Sequence, residues 1–443
     1  MAATQSRKTV FPNGLTLVTE RTPGYRSLSI GFWLKIGTRH EQRSEAGISH
    51  FLEHMLFKGT DTRSSLEIAR EVERVGGEFN AFTSREYTCF HLLMLGRDLG
   101  LGMEMLKDVL LNSRFDGEEL ERERRVILQE IAMTGESPEE LAHDLHLALA
   151  YGNHGLGKDI LGSETSIRRM KRNSLMRYFR EHYRPDQLVI SVAGDVSHDA
   201  VKRELGTLIR HAWPGRPVRE KGGLKRRDKG RSAGTSAGQP EVKPGFWWIT
   251  RPTEQVHLIW GVEGPRYSSK DRFAAFLLNV YLGGGMSSAL FQEIREKRGM
   301  AYNVYSNYSP FSDSGIFTIY AATGMGQVPL CLRLIEETAD QLSKNLLPEE
   351  ELKVIQDNLK GTILLGADNV EARMTSIARN EIFFGESHSV ESVCEAIDAV
   401  TPKDIRRLAR KLFAGERSIL ALGPRPSKMV KKLGPEFPKR FTK

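Results

Sequence analysis

The sequence contains no apolar run close to the ~20 residues that a membrane-spanning helix requires, and it has three cysteines in 443 residues. The three, Cys89, Cys331 and Cys394, lie far apart in apolar contexts. An odd, scattered set of this kind is typical of reduced core residues and argues against a disulfide framework or a zinc ribbon. We therefore expect a globular protein with no membrane partner, and neither an integral membrane protein nor a disulfide-stabilised scaffold.

The basic balance of the chain is concentrated in one stretch. The formal net charge is +8, but residues 215–245 carry nine Lys or Arg and three Asp or Glu among many Gly, Ser and Pro. Such a stretch is typical of a solvated, flexible linker, so we predict no nucleic-acid partner. The first residues lack the apolar core of a secretory signal, and we expect the protein to be cytoplasmic.

The sequence does contain a motif with metal-ligand spacing, His50-x-x-Glu53-His54. In a helix, His50 and His54 lie one turn apart on one face, and Glu53 lies on the same side. Two imidazoles at this spacing can bind one metal ion, and the carboxylate beside them can handle a proton. The surrounding apolar residues predict a packed, rigid helix; they are Ile48, Phe51, Leu52, Met55 and Leu56.

A catalytic zinc site usually takes a third protein ligand, and the residues alone leave its identity open. The candidate is a predicted helix over 118–132, in which Glu123 and Glu130 are two turns apart and share a face. One acid could be a ligand and the other a partner that orients a histidine. The alternatives are that both belong to a solvated, charged helix and that the His-Glu-His spacing arose by accident.

The predicted secondary structure follows one order twice. Each half contains strands, a helix, two paired strands, a block of helices and a closing strand. We therefore predict an α+β protein of two homologous domains, each a mixed, mostly antiparallel β-sheet packed against a layer of helices. The predicted boundaries are 1–214 for the first domain, 215–245 for the linker and 246–443 for the second domain, which lacks the metal motif.

Six longer stretches, spread in order along the chain, match a known family; they are His50–Thr60, Val75–Glu86, Glu121–Glu130, Leu156–Gly162, Leu282–Phe291 and Arg298–Tyr302. In these stretches the chain resembles the pitrilysin/insulinase family of zinc peptidases, including its short bacterial members and the β subunit of mitochondrial processing peptidase. The family's metal motif has the reverse order of the commoner His-Glu-x-x-His. The resemblance covers most of the chain, in order, and is therefore more specific than the first motif alone.

The resemblance implies a role for each matching residue of the metal site. His50, His54 and Glu130 would bind Zn²⁺, and Glu53 would be the general base. Glu123 matches a second acid that supports catalysis without being a primary ligand.

The resemblance also implies substrate contacts. Asn80, Ala81 and Phe82 match an edge strand that pairs with the substrate backbone, and Arg298 and Tyr302 match a pair that grips the substrate on its C-terminal side. Phe51 and Phe82 are further candidates for a substrate pocket, although rings at such positions more often belong to the core.

We predict a zinc-dependent metalloendopeptidase that hydrolyses peptides or unfolded polypeptide segments inside a closed chamber. The resemblance implies domains that pair into a clamshell and a homodimer of two chains. The alternative is a non-catalytic peptide-binding or scaffold subunit of a processing-peptidase-like complex. Such relatives typically lose zinc residues, and this chain keeps all four.

Overall fold

The computed structural model describes residues 6–206 and 240–426. Residues 215–239 of the predicted linker lie outside the described part of the chain. Within the described ranges, no helix is both long and apolar enough to cross a membrane. The chain forms two compact units: the first contains residues 6–132, 158–206 and 365–389, and the second contains residues 133–157, 240–364 and 390–426.

The elements of both units are numbered in chain order. The strands are β1 Ser6–Val10, β2 Thr16–Arg21, β3 Ser27–Leu34, β4 Glu78–Thr83, β5 Thr88–Leu95, β6 Leu188–Gly194, β7 Gly245–Thr250, β8 Val256–Glu263, β9 Ala301–Pro310, β10 Gly315–Thr323 and β11 Ser418–Gly423. The α-helices are α1 Ile48–Leu56, α2 Ser65–Glu73, α3 Leu99–Asn112, α4 Gly117–Glu136, α5 Pro138–Tyr151, α6 Glu164–Arg169, α7 Arg172–His182, α8 His198–Glu204, α9 Arg272–Gly283, α10 Val328–Lys344, α11 Glu349–Gly366, α12 Val370–Phe384, α13 Val390–Asp398 and α14 Pro402–Phe413. A π-helix covers Phe291–Glu296.

The first unit is built on a six-stranded sheet in the order β1-β2-β6-β3-β5-β4. Strands β2 and β6 are parallel, and the other neighbouring pairs are antiparallel. Strands β3 and β6 are buried along nearly their whole length because both faces of the sheet are covered. Strand β4 lies at the edge of the sheet, next to α1.

Successive residues of the central strands point to opposite faces of this sheet. Ile30 and Phe32 belong to the large core shared with α1, α3, α4 and α7. Trp33 points to the other face, where Met374 and Ile377 of α12 cover it. The first sheet is therefore closed by a helix from the second half of the sequence.

The second unit repeats this plan with a five-stranded sheet in the order β7-β11-β8-β10-β9. Its main core contains residues of α9, α10, α11 and α14. On the opposite face, Ala142 of α5 packs against Ile259, Tyr320 and Leu420. The second sheet is closed by a helix from the first half of the sequence.

Strand by strand, β2-β6-β3-β5-β4 corresponds to β7-β11-β8-β10-β9. Each list contains one parallel pair, β2–β6 and β7–β11. The predicted fold class, two homologous α+β domains with mixed, mostly antiparallel sheets, is confirmed. The predicted domain boundaries, 1–214, 215–245 and 246–443, remain a prediction. The compact units are not contiguous in sequence, since each contains one helix from the other half of the chain.

Candidate metal centre

Helix α1, which carries the predicted motif, has one apolar and one polar side. Its apolar side packs into the core, and five of its side chains are 0% exposed: Ile48, Phe51, Leu52, Met55 and Leu56. His50, Glu53 and His54 lie on the other side and are half-buried. The two imidazole rings are 4.6 Å apart between centroids. The structure therefore forms the helix that the spacing predicts.

Helix α4 brings a carboxylate to the two histidines. Oε2 of Glu130 lies 3.7 Å from Nε2 of His50 and 3.6 Å from Nε2 of His54. One ligand atom from each of these three residues lies within 4.8 Å of the other two. These are the residues that the resemblance assigns to the metal.

Two polar atoms at this point lack the partners that a protein interior normally supplies. Oε2 of Glu130 and Nδ1 of His50 are buried, and neither has a hydrogen-bond partner among the described residues. A buried carboxylate oxygen that faces two imidazole nitrogens is costly unless a cation lies between them. Two imidazole nitrogens and one carboxylate oxygen are a donor set of catalytic zinc, so these residues fit a zinc ion.

The environment sets the protonation of the two histidines differently. Burial, together with the neighbouring His54, lowers the pKa of His50 to about 4. His50 is therefore neutral at pH 7, as a metal ligand must be. Burial also lowers the pKa of His54, but the carboxylates of Glu123, Glu130 and Glu53 outweigh it, so the net pKa of His54 is raised.

Glu123 orients His54. Its Oε2 lies 2.9 Å from Nδ1 of His54, and its Oε1 lies 2.7 Å from Nζ of Lys58. Burial raises the pKa of Glu123, but hydrogen bonds from His54 and Lys58 outweigh it, so the net pKa is lowered. An ionised Glu123 accepts a hydrogen bond from the Nδ1–H group of His54 and leaves Nε2 free to face Glu130.

The side chain of Glu53, on α1, points towards the edge strand β4. The hydroxyl of Thr83, the last residue of β4, donates to Oε2 of Glu53 at 2.5 Å. Burial raises the pKa of Glu53, although the Thr83 hydrogen bond and His54 act in the opposite direction. A carboxylate with a raised pKa, held in one orientation beside the histidines, is suited to accept and return a proton.

Lys58 and Thr83 are the contacts that sequence reasoning missed. A signal for Thr83 exists in the alternation of β4, where Phe79, Ala81 and Thr83 are half-buried and the residues between them are exposed. This places Thr83 on the face directed towards α1. Lys58 lies just beyond the helix, and its contact with Glu123 depends on how α4 packs, which no local pattern reports.

The predicted substrate strand is exposed at the sheet edge. Asn80 is exposed, Ala81 is half-buried, and Phe82 is 37% exposed. The ring of Phe82 packs edge-on against Trp33, with centroids 5.6 Å apart. Phe51 is different, because its ring is 0% exposed in the core and has no surface to offer a peptide. Its expected pocket role is therefore corrected to a packing role.

Arg298 and Tyr302 lie in the second unit, beside the π-helix. Arg298 donates to the backbone oxygen of Glu293 at 2.9 Å and forms an ion pair with its carboxylate. The side chain of Tyr302 is 76% exposed, and the guanidinium of Arg295 lies 4.6 Å from its ring centroid. Arg298 and Tyr302 therefore contact different residues of the second unit, Glu293 and Arg295 respectively.

Family models match most of the chain. Residues 16–164 match a family described as insulinase (peptidase family M16), and residues 169–359 match the peptidase M16 inactive domain. The first match contains the three motif residues, His50, Glu53 and His54, and the predicted third ligand, Glu130. The second begins at the end of α6 and extends into α11, so it includes β7 to β10.

Two curated relatives are similar over nearly their whole length. An uncharacterized zinc protease of Streptomyces coelicolor is 38% identical over 429 residues, covering 96% of this chain and 91% of the relative. An uncharacterized zinc protease of Bacillus subtilis is 36% identical over 412 residues, covering 93% and 97%.

Two solved structures share the fold at low sequence identity. A protease from Helicobacter pylori superposes with a TM-score of 0.82 at 20% identity, over 95% of this chain and 100% of the other. A peptidase M16 inactive domain from Pseudomonas fluorescens gives a TM-score of 0.84 at 20% identity, over 96% and 99%.

Proposed function

Because the chain belongs to the insulinase family of peptidases, peptidase family M16, we propose that it is a zinc-dependent metalloendopeptidase acting on peptides or unfolded polypeptide segments. The observation that carries the proposal is the convergence of His50, His54 and Glu130 within 4.8 Å of one another, with Glu53 beside them. The relatives named as zinc proteases support the choice of metal.

His50, His54 and Glu130 would hold the zinc ion. When bound, zinc supplies Lewis acidity, which polarises the scissile carbonyl and makes a water molecule acidic at neutral pH. Glu123 keeps His54 in the tautomer whose Nε2 faces the metal position, because its carboxylate accepts a hydrogen bond from the Nδ1–H group of His54.

Glu53 acts as general base and then as general acid. It accepts a proton from the attacking water, whose oxygen forms the new bond to the carbonyl carbon. As the carbon–nitrogen bond breaks, Glu53 returns that proton to the leaving amine. The hydrogen bond from Thr83 fixes the carboxylate during both transfers.

The outer edge of β4 is the proposed place for the substrate backbone. In the sheet, β4 has one neighbour, β5, so its other edge presents backbone groups to a peptide. Pairing at such an edge gives affinity through main-chain hydrogen bonds and little sequence selectivity. Asn80, Ala81 and Phe82 would line this contact.

The remaining parts of the proposal rest on the family resemblance. Two chains would pair as a homodimer and enclose a chamber that admits unfolded segments. Arg298 and Tyr302 would contact the C-terminal side of the substrate. The exposed Tyr302 is available for such a contact, whereas Arg298 would have to exchange Glu293 for substrate.

The test compares zinc content with cleavage of a quenched, unstructured peptide in wild type, Glu53→Gln and the control Glu118→Gln. The side chain of Glu118 is 86% exposed on α4. We expect zinc near one per chain in all three, with cleavage lost in Glu53→Gln alone. Stoichiometric zinc without cleavage in the wild type would favour the non-catalytic subunit, and a wild type that cannot bind zinc would contradict the proposal.

A further inference from the structure

The first turn of α1 is anchored by a carboxylate from outside the helix. The residue before the helix is Gly47, which has no side chain to cap it. Glu41, 1% exposed, accepts the backbone N–H groups of Gly47 and Ser49, each at 2.9 Å and each through a different oxygen. A buried helix N-terminus needs such acceptors, and the helix dipole favours an anion there.

The segment 158–162 contacts both Glu41 and the start of α1. It lies within the matching stretch Leu156–Gly162, to which the family resemblance assigns no role. Nζ of Lys158 donates to the backbone oxygen of Glu41. A Cβ atom on Gly47 would lie 2.6 Å from the carbonyl oxygen of Leu161, and one on Gly162 would lie 2.6 Å from that of Ala46. The segment therefore packs directly against the start of α1.

The two histidines of α1 are secured differently. His54 is tied through Nδ1 to Glu123, which in turn contacts Lys58. Nδ1 of His50 is buried and has no hydrogen-bond partner in the part of the chain that the structure describes. His50 directly follows Ser49, so its position depends on the helical turn that Glu41 anchors.

We propose that Glu41 is a positioning residue for the ligand His50, an inference that rests on the proposed zinc site. Without its carboxylate, the N–H groups of Gly47 and Ser49 lose their acceptor inside the protein, and the first turn of α1 loosens. His50 is then the ligand that moves, because His54 keeps its bond to Glu123.

The experiment measures zinc affinity of the full-length protein by competition with a chromophoric chelator. The variants are Glu41→Ala, Glu41→Gln and the control Glu67→Ala, with helix content checked by circular dichroism. Glu67 accepts the backbone N–H of Ser64 at 2.7 Å and caps α2, so its removal weakens a helix start in the same unit. We expect Glu41→Ala to lower zinc affinity about 10- to 100-fold, Glu41→Gln to lower it less, and Glu67→Ala to leave it unchanged.

A double-mutant cycle shows whether Glu41 acts through His50. In a His50→Ala background, Glu41→Ala should weaken zinc binding no further, whereas in a Glu123→Ala background it should still weaken it. Equal weakening in both backgrounds, or unchanged affinity in a folded Glu41→Ala protein, would overturn the inference. A folded wild type without zinc affinity would instead overturn the proposed function. If Glu41→Ala does not fold, the cycle is run with Glu41→Gln.

Discussion

The two units carry the same strand order and differ in what the first core helix presents. Helices α1 and α9 follow the corresponding strands β3 and β8 in the chain, and each packs its apolar side into a core. The polar side of α1 carries His50, Glu53 and His54, whereas the residues of α9 include no histidine or acid. The fold requires only the apolar side of this helix. The residues of the polar side can therefore differ between the units, with or without metal-binding and catalytic groups.

A hydrogen-bond pattern aligns the later helices of the two units. Arg124 of α4 donates to the backbone oxygens of Ile167 and Met170, at the end of α6. Gln356 of α11 donates to the backbone oxygen of Ile397, at the end of α13, at 3.0 Å. Each long helix is thus pinned in the same way to the short helix that follows the exchanged one.

In this alignment, Ile355 occupies the position that matches Glu123, and Thr362 occupies the position that matches Glu130. Ile355 is 8% exposed and packs in the core. The hydroxyl of Thr362 donates a hydrogen bond to the backbone oxygen of Asn358 at 3.0 Å. The second unit therefore keeps the helix and its pinning while both acids are replaced. The comparison separates the residues that build the fold from those that build the site.

Removing the third ligand should have the largest effect. Glu130→Gln replaces a carboxylate oxygen with a weaker neutral donor, and zinc sites bind with roughly 10–16 kcal/mol in total. Loss of one of three protein ligands should therefore cost about 4 kcal/mol, or roughly a thousandfold in zinc affinity. Chelator competition measures this change.

The control for Glu130 is Thr362→Ala at the matched position of α11. It should leave zinc affinity unchanged, because Thr362 contacts its own helix. Full zinc affinity in Glu130→Gln would remove α4 from the metal centre and leave the difference between the two units unexplained.

The stabilisation that Glu41 gives to the start of α1 should depend on pH. Burial raises the pKa of Glu41 to about 7, against hydrogen bonds from Ser49 and Gly47. Because this folded-state pKa exceeds the unfolded value, its contribution to the free energy of unfolding is present below about pH 4.5 and lost as pH rises through about 7. That contribution is about 3 kcal/mol, with Lys158 and Tyr178 as neighbouring ionisable groups.

Thermal unfolding of the zinc-free protein between about pH 4.5 and pH 7 tests this pH dependence. Glu41→Gln, which cannot ionise, should be most destabilising at low pH, and its deficit should shrink towards neutral pH. The control is Asp271→Asn at the start of α9, where the carboxylate is paired with the half-exposed Arg407 at 2.7 Å. A pH-independent deficit in Glu41→Gln would show that the carboxyl does not titrate in this range.

Local patterns predicted the site better than they predicted the packing around it. The spacing of His50, Glu53 and His54 defines one helical face, and that face is present. The residues alone did not decide between Glu123 and Glu130, because which acid meets the histidines depends on how α4 lies against α1. Local patterns likewise do not report which sheet α5 and α12 cover, so they do not predict that each unit contains one helix from the other half of the sequence.

Glu123 should have the next largest effect on zinc. Glu123→Gln removes the charge that holds the Nδ1 proton of His54 and leaves Lys58 without its carboxylate partner. Partners of this kind typically contribute 10- to 100-fold in metal affinity, and we expect a loss in that range. Glu121→Gln is the control, since its side chain is 62% exposed on the same helix. An equal loss in both variants would point to destabilisation of α4.

The smallest effect concerns the edge strands, whose starts correspond between the units. Gly76 and Gly299 both adopt left-handed backbone angles, with φ of 69° and 59°, and each is followed at the same spacing by an asparagine and then by a hydroxyl residue, Thr83 or Ser306. Thr83 donates to the carboxylate of Glu53. Ser306 donates to the backbone oxygen of Asn279 on α9, at 2.9 Å. The same strand position therefore serves a carboxylate in one unit and the helix backbone in the other.

Thr83→Val keeps the shape of the side chain and removes its donor, so Glu53 loses its fixed orientation. One hydrogen bond to a charged group is worth about 1.5 kcal/mol, so kcat should fall roughly tenfold, with zinc content and KM little changed. Ser306→Ala should leave kcat unaltered and lower the unfolding temperature slightly, because its hydroxyl holds a strand to a helix. Peptide cleavage and thermal unfolding of both variants measure these effects. If Thr83→Val behaved like Ser306→Ala, losing stability but not kcat, the Thr83 hydroxyl would be a structural link in both units, and the functional difference between them would lie in the helices alone.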